Sequence, residues 1–161
     1  MQTLTALNLP ADPHIRLARN EQGDNTIYDP LRSKWIIITP EEWVRQHFVA
    51  YLIGSLGYPA SLMANEVSLQ LNGTLRRCDT LVWDRHGAPL VIVEYKAPHI
   101  DITQKVFEQI ARYNMVIRAP FLMVSNGLKH FCATIDHKKG NLRFLRELPR
   151  YESIAELIDQ K

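Results

Sequence analysis

The chain has 161 residues, 46% of them hydrophobic and 22% charged, with a formal net charge of +2. This describes one soluble domain with enough apolar mass for a core, and the near-neutral total gives no global electrostatic case for nucleic acid, although a basic patch on one face would not register in it. Two distant cysteines, Cys78 and Cys132, exclude a disulfide framework and fit a reducing, cytoplasmic setting, no run approaches the ~20 apolar residues that span a bilayer, and the first residues lack the basic start and apolar block of a signal peptide.

Residues 1–13 read as an irregular lead-in broken by Pro10 and Pro13. His14 to Arg19, a polar turn at 21–25 and Thr26 to Tyr28 resemble a small hairpin. Lys34 to Ile38 predicts a third strand. Thr39-Pro40-Glu41-Glu42 is a helix start, with Thr39 as N-cap, Pro40 in the first position and Glu42 completing a capping box. Gly57 and Pro59 end that helix. Met63 to Leu71 predicts a strand, and Asn72-Gly73 a hairpin turn into Leu75 to Trp83. Leu90 to Lys96 completes an antiparallel meander.

Asp101-Ile102-Thr103-Gln104 offers a second capping-box-like start. The helix after it carries Val106, Phe107, Ile110, Tyr113 and Ile117 on one stripe, with Glu108 and Arg112 paired on the solvated side. Phe121 to Val124 and Lys129 to Ile135 read as strands, 136–141 as a polar turn, and 151–160 as a short helix. The expected class is α/β, a mixed β-sheet flanked by α-helices. The whole of 1–161 is expected to be a single domain: a lead-in over 1–25, a core over 26–150 and a C-terminal helix over 151–161.

The stretch from Arg76 to Pro98 concentrates chemistry. The unbroken apolar run Leu90 to Val93, a strand covered on both faces, leads straight into Glu94. Alternation puts Glu94 and Lys96 on one face and turns Tyr95 to the other. A hairpin through His86 to Pro89 returns Asp79 to their side. Two carboxylates and an ammonium at strand ends are expensive without a counter-ion or substrate.

Asp79, fourteen intervening residues and Glu94-Tyr95-Lys96 resemble the PD-(D/E)XK nuclease signature. Thr39 to Gln46, Asn72-Gly73, Arg77-x-Asp79, Val93 to Pro98, Gln109-x-x-x-Tyr113-Asn114 and Ser125-Asn126-Gly127 together resemble the N-terminal nuclease domain of type I restriction enzyme R subunits, over roughly residues 26–150. The residue before Asp79 is Cys78, where proline is frequent in the superfamily. The resemblance implies a restriction-endonuclease-like core and a Mg²⁺-dependent DNA endonuclease, with Mn²⁺ as a substitute. It implies Asp79, Glu94, Lys96 and Glu42 as catalytic residues and Gln109, Tyr113 and Arg77 as DNA-handling ones. Its partners are DNA and other restriction-modification subunits or a second copy of the chain, with no membrane. No helicase motor of the kind R subunits carry follows, so a free-standing relative or an excised domain is expected.

The chemistry agrees with that picture. Mg²⁺ takes one or two carboxylates, here Asp79 and Glu94, and the Tyr95 backbone carbonyl adds an oxygen. Lys96 is placed to orient water or steady developing charge. Competing readings stand beside each assignment. Lys96 could make a plain salt bridge with a carboxylate. Glu42 could be only a capping glutamate, with Glu66 its rival near the metal. Gln109 and Tyr113 could be a helix-edge pair, and Arg76 and Arg77 a solvated strand pair. The basic residues Lys129, His130, Lys138, Lys139, Arg143 and Arg146 form either a phosphate-facing rim or an ordinary surface. A catalytically silent nucleic-acid-binding or partner-docking module is the alternative to an enzyme.

Overall fold

The computed structural model describes residues 4–159. Strands β1 (Leu17–Arg19), β2 (Asn25–Asp29) and β3 (Lys34–Ile37) form a small antiparallel sheet. Helix α1 (Pro40–Gly54) leads into a six-stranded sheet whose strands lie in chain order. They are β4 (Met63–Leu71), β5 (Thr74–Trp83), β6 (Pro89–Tyr95), β7 (Phe121–Ser125), β8 (His130–Asp136) and β9 (Asn141–Phe144). All neighbours are antiparallel except β6 and β7. A parallel pair needs a crossover, and α2 (Gln104–Asn114) supplies it. Helix α3 (Tyr151–Asp159) follows the last strand.

Local chemistry explains the boundaries. The Thr39 hydroxyl accepts the Glu42 N–H at 3.1 Å, and Pro40 occupies the first turn where no donor is needed. Asn72 and Gly73 both have positive φ, 50° and 76°, which is what a two-residue hairpin turn with the twist of its strands demands. Leu90 to Val93 has no exposed surface, because helices cover both faces of β6. On one face Val44, Phe48 and Leu52 of α1, with Tyr151 and Ile154 of α3, pack on Val82, Val91, Val93 and Tyr95. On the other, Phe107 and Ala111 of α2 pack on Leu81, Ile92, Leu122 and Val124. The predicted mixed sheet between helices is therefore the observed architecture.

Four local expectations need correction. The N-cap of α2 is Thr103, whose hydroxyl accepts the Val106 N–H, and not Asp101. The buried positions of α2 are Phe107, Ala111 and Asn114, one step around from the predicted stripe, and Tyr113 is 46% exposed. The polar Asn114 takes a core position that a hydrophobicity pattern would not give it. The helix also stops there, passing into a 3-10 turn over Met115–Ile117 and a left-handed Arg118. Finally, β9 is an additional strand, unread because a four-residue edge strand has too little buried face to show alternation.

Truncating the doubly covered strand should cost most. Ile92→Ala is expected to lower unfolding free energy by about 2–5 kcal/mol in urea titration. Leu75→Ala, at a 56% exposed position, should change it by less than about 0.5 kcal/mol.

Candidate active site

The β5–β6 ladder pairs Thr80 with Val93 as its last step. One residue further, at Asp79 and Glu94, the strands no longer pair through their backbones. Instead the Tyr95 N–H donates to the Asp79 carboxylate at 2.9 Å. On the other side of β5 the register runs from Asn65–Thr80 to Val67–Cys78, and the intervening Glu66–Asp79 level is unpaired. Glu66 has φ +55°, a left-handed conformation that side chains other than glycine rarely take. Thr80 faces the α1 side with Tyr95, whereas Cys78 belongs to the α2 cluster. The two-residue alternation is thus broken at Asp79.

This break opens a cleft of about 620 Å³ lined by Glu41, Glu42, Arg45, Glu66, Asp79, Glu94, Tyr95 and Lys96, with Ile36 and Ile37 of β3 forming a wall. Even with Glu94 set aside, Glu41, Glu42, Glu66 and Asp79 outnumber Arg45 and Lys96 in the lining, so the cleft attracts cations. Tyr95 reaches it through its main chain. Its ring is buried against Phe48, and its hydroxyl donates to Thr80. Lys96 N–H goes to Ser125 of β7. Backbone groups alternate along a strand, so the Tyr95 N–H and C=O both point the opposite way, toward β5 and the cleft.

Burial, and then the facing Asp79 carboxylate, push the Glu94 carboxyl up to about 9, while the Asn114 side-chain amide pulls the other way. One oxygen, Glu94 Oε1, is buried with no hydrogen-bond partner. Glu66 is also partly buried, which would raise it, but Arg45 and then Arg77 and Arg32 hold it below its usual range. Among the described residues no carboxylate lies within ion-pair distance of Lys96, so the plain salt bridge is not its role here.

Glu42 lines the cleft but is heavily engaged. Its carboxylate accepts from Arg32 at 2.7 Å and from Gln46 at 3.3 Å, and lies 3.5 Å from Arg45. Arg32 also holds Asp29, which accepts from Asn65 at 2.9 Å. Asn65 in turn accepts from Thr80 at 2.6 Å. Glu66 is held by Arg45 and Arg77. A second hollow, about 290 Å³, shares Glu94 and Lys96 with the cleft and is lined also by Arg77, Gln109, Tyr113 and Asn114. Gln109 is exposed there, and the Tyr113 ring lies under Arg76 at 4.7 Å. The structure thus brings all the predicted site residues to one place. It does not gather the basic residues: Lys129 and the Lys138–Lys139 turn lie at opposite ends of β8, roughly 20 Å apart.

A family described as type I restriction enzyme R protein N terminus matches residues 40–149. The chain belongs to this family. No curated protein matches it. Among solved structures, a fragment described as an HsdR subunit of a type I restriction enzyme from Vibrio vulnificus YJ016 has a TM-score of 0.54 and 17% identity. The match covers 74% of this chain and 25% of that one, so it spans about a quarter of the matched fragment's length. At such identity the likeness speaks for the fold. In this R protein N-terminal chain no described helix is long and apolar enough to cross a membrane.

Among the described residues no group of three or more His, Cys, Asp or Glu side chains is arranged to hold a metal. The donor set at hand is two carboxylates and one main-chain carbonyl. That set, with an orphaned carboxylate oxygen and two acids pressed together, fits a hard divalent cation that keeps several waters. The sequence carries no signal for Asp29, Arg32 and Asn65 as site residues, and Arg45 and Asn114 enter it only as members of longer motifs, without a role. Locally, Asp29-Pro30 signals a turn and Arg45 is a charge inside an apolar helix stripe.

The pH dependence of stability tests the Glu94 environment. Its carboxyl binds a proton more tightly folded than at its ordinary value of 4.5, so metal-free stability should fall as pH rises between about 4.5 and about 9. Glu94→Gln is neutral throughout. Its melting temperature should gain on the native chain steadily from about pH 5 to about pH 9; a constant difference would contradict the assignment.

Proposed function

We propose that this chain is a metal-dependent DNA endonuclease domain that hydrolyses phosphodiester bonds. The observation that carries the reading is the convergence of Asp79, Glu94 and Lys96 on one cation-attracting cleft in a chain of the R protein N-terminal family. Asp79, Glu94 and the Tyr95 carbonyl would hold Mg²⁺, or Mn²⁺ in its place. Such an ion, when bound, supplies charge stabilisation at the phosphate and a more acidic water. The acidic cleft would repel a bare phosphodiester, which is a physical reason for the chemistry to depend on a cation.

The side chains divide the remaining work. Lys96, without a carboxylate partner among the described residues, presents its ammonium to the cleft, where it orients the attacking water and offsets charge growing on the phosphate oxygens. Glu94 and Asp79 fix the direction from which that water approaches. Arg77, Gln109 and Tyr113 line the adjoining hollow and contact the sugar-phosphate backbone. Glu42 borders the cleft while tied to Arg32, and it contributes negative potential rather than a free carboxylate. Other restriction-modification subunits, or a second copy of this chain, are the expected partners in the cytoplasm.

Incubation with linear, supercoiled and single-stranded DNA tests the proposal. Cleavage is expected with Mg²⁺ or Mn²⁺ and should vanish with chelator. Lys96→Ala and Asp79→Asn should each reduce the rate by about 100-fold or more. If no substrate is cut, and DNA binding ignores both metal and Asp79→Asn, the chain is a silent docking module instead.

A further inference from the structure

We propose that Arg45 is a positioning residue: from α1 it wedges into the broken level of the β4–β5 ladder and holds the Asp79 backbone where the cleft needs it. This rests on reading the cleft as a site of phosphodiester hydrolysis. Arg45 is only 4% exposed, so a nucleic-acid phosphate cannot claim its hydrogen bonds. Both terminal nitrogens are already committed. Nη1 donates to the Asp79 carbonyl at 2.9 Å, and Nη2 donates to the Glu66 carboxylate and lies 3.5 Å from Glu42. Only Nε lacks a partner. The guanidinium also lies 5.7 Å from the centre of the Tyr95 ring.

The register explains why such a residue is needed. Continuing the pairing would put Glu66 opposite Asp79, yet that step is missing from the ladder and Glu66 is left-handed. A carbonyl in mid-strand then has lost its regular donor, and a buried carbonyl does not stay unpaired. Arg45 supplies the donor from another layer of the fold. Asp79 is thereby held at its carbonyl by Arg45 and at its carboxylate by the Tyr95 N–H. The planar fork reaches two acceptors in a fixed geometry, which a lysine ammonium does not reproduce. Arg45 touches neither the substrate nor the atoms that would hold a cation, so its effect on chemistry passes through Asp79.

Two variants test this. Arg45→Lys keeps the charge and loses the fork. Glu66→Gly suits the positive φ and removes the carboxylate that anchors Arg45; it also releases Arg77, so for this variant the exchange readout decides. The first readout is amide hydrogen exchange on metal-free protein. Tyr95, whose N–H bonds to Asp79, should exchange about tenfold faster or more, as expected for weakening a hydrogen bond to a charged group, while Ile92 and Leu122 keep native protection. The second is DNA cleavage, where kcat should fall and KM should hold. Native Tyr95 exchange together with native kcat in a folded Arg45→Lys chain overturns the proposal. If Arg45→Lys does not fold, native Tyr95 exchange in Glu66→Gly overturns it. Should the native protein cut no DNA, the nuclease reading falls, and the exchange measurement alone still decides the role of Arg45.

Discussion

Asp29 has no exposed surface, and Arg32 closes its side chain against Glu42. This bridge ties the small sheet to α1, and through Asn65 and Thr80 it reaches the Tyr95 hydroxyl in the middle of the large sheet. Burial alone would raise the Asp29 carboxyl, but hydrogen bonds from Asn65 and Arg32 hold it below its ordinary range. A buried charge of this kind is tolerable only when every partner is present, because removing one leaves an unpaired ion in low dielectric. The chain of contacts therefore behaves as one unit. It sets the height of β4, β5 and β6 relative to α1, and with it the height of the acids that open on the cleft.

The unit and the cleft share the same strands by alternation. Asn65 precedes Glu66, Thr80 follows Asp79, and Tyr95 separates Glu94 from Lys96. In each case the residue facing the core is hydrogen-bonded and its neighbour lines the cleft. The rigid side supports the strained side: an unpaired ladder step and a left-handed glutamate are sustained by satisfied contacts one residue away.

What was legible in the sequence follows from range. That Asp79, Glu94 and Lys96 share one cleft could be read because a strand's face is set by its immediate neighbours, and the Leu90 to Val93 run marks a strand covered twice. Thr39 and Asn72-Gly73 declare their roles within four residues. The supporting unit could not be found this way. Asn65 and Asp29 are 36 positions apart, and Arg45 and Asp79 are 34 apart. Taken locally, Asp29 is a turn residue and Arg45 a stray charge on a helix. The rotation of α2 was hidden for a related reason: Asn114 is polar, so a hydrophobic pattern assigns its buried position to Tyr113.

Alternation also bears on how this sequence can change. A substitution at Thr80 breaks its bonds to Asn65 and Tyr95 but leaves both faces of the strand where they are. An inserted or deleted residue between Ile92 and Glu94 does something different, because it exchanges the two faces of the strand end at once. The carboxylate would then press on Phe48 while a phenol ring entered the cleft. The irregular Glu66–Asp79 level involves no such slip: the β4–β5 register is the same on either side of it, and Arg45 fills the gap. A change of length within the last four residues of β6 therefore rearranges the cleft lining, whereas one in the turns at 84–88 and 136–141 leaves the strand faces in place.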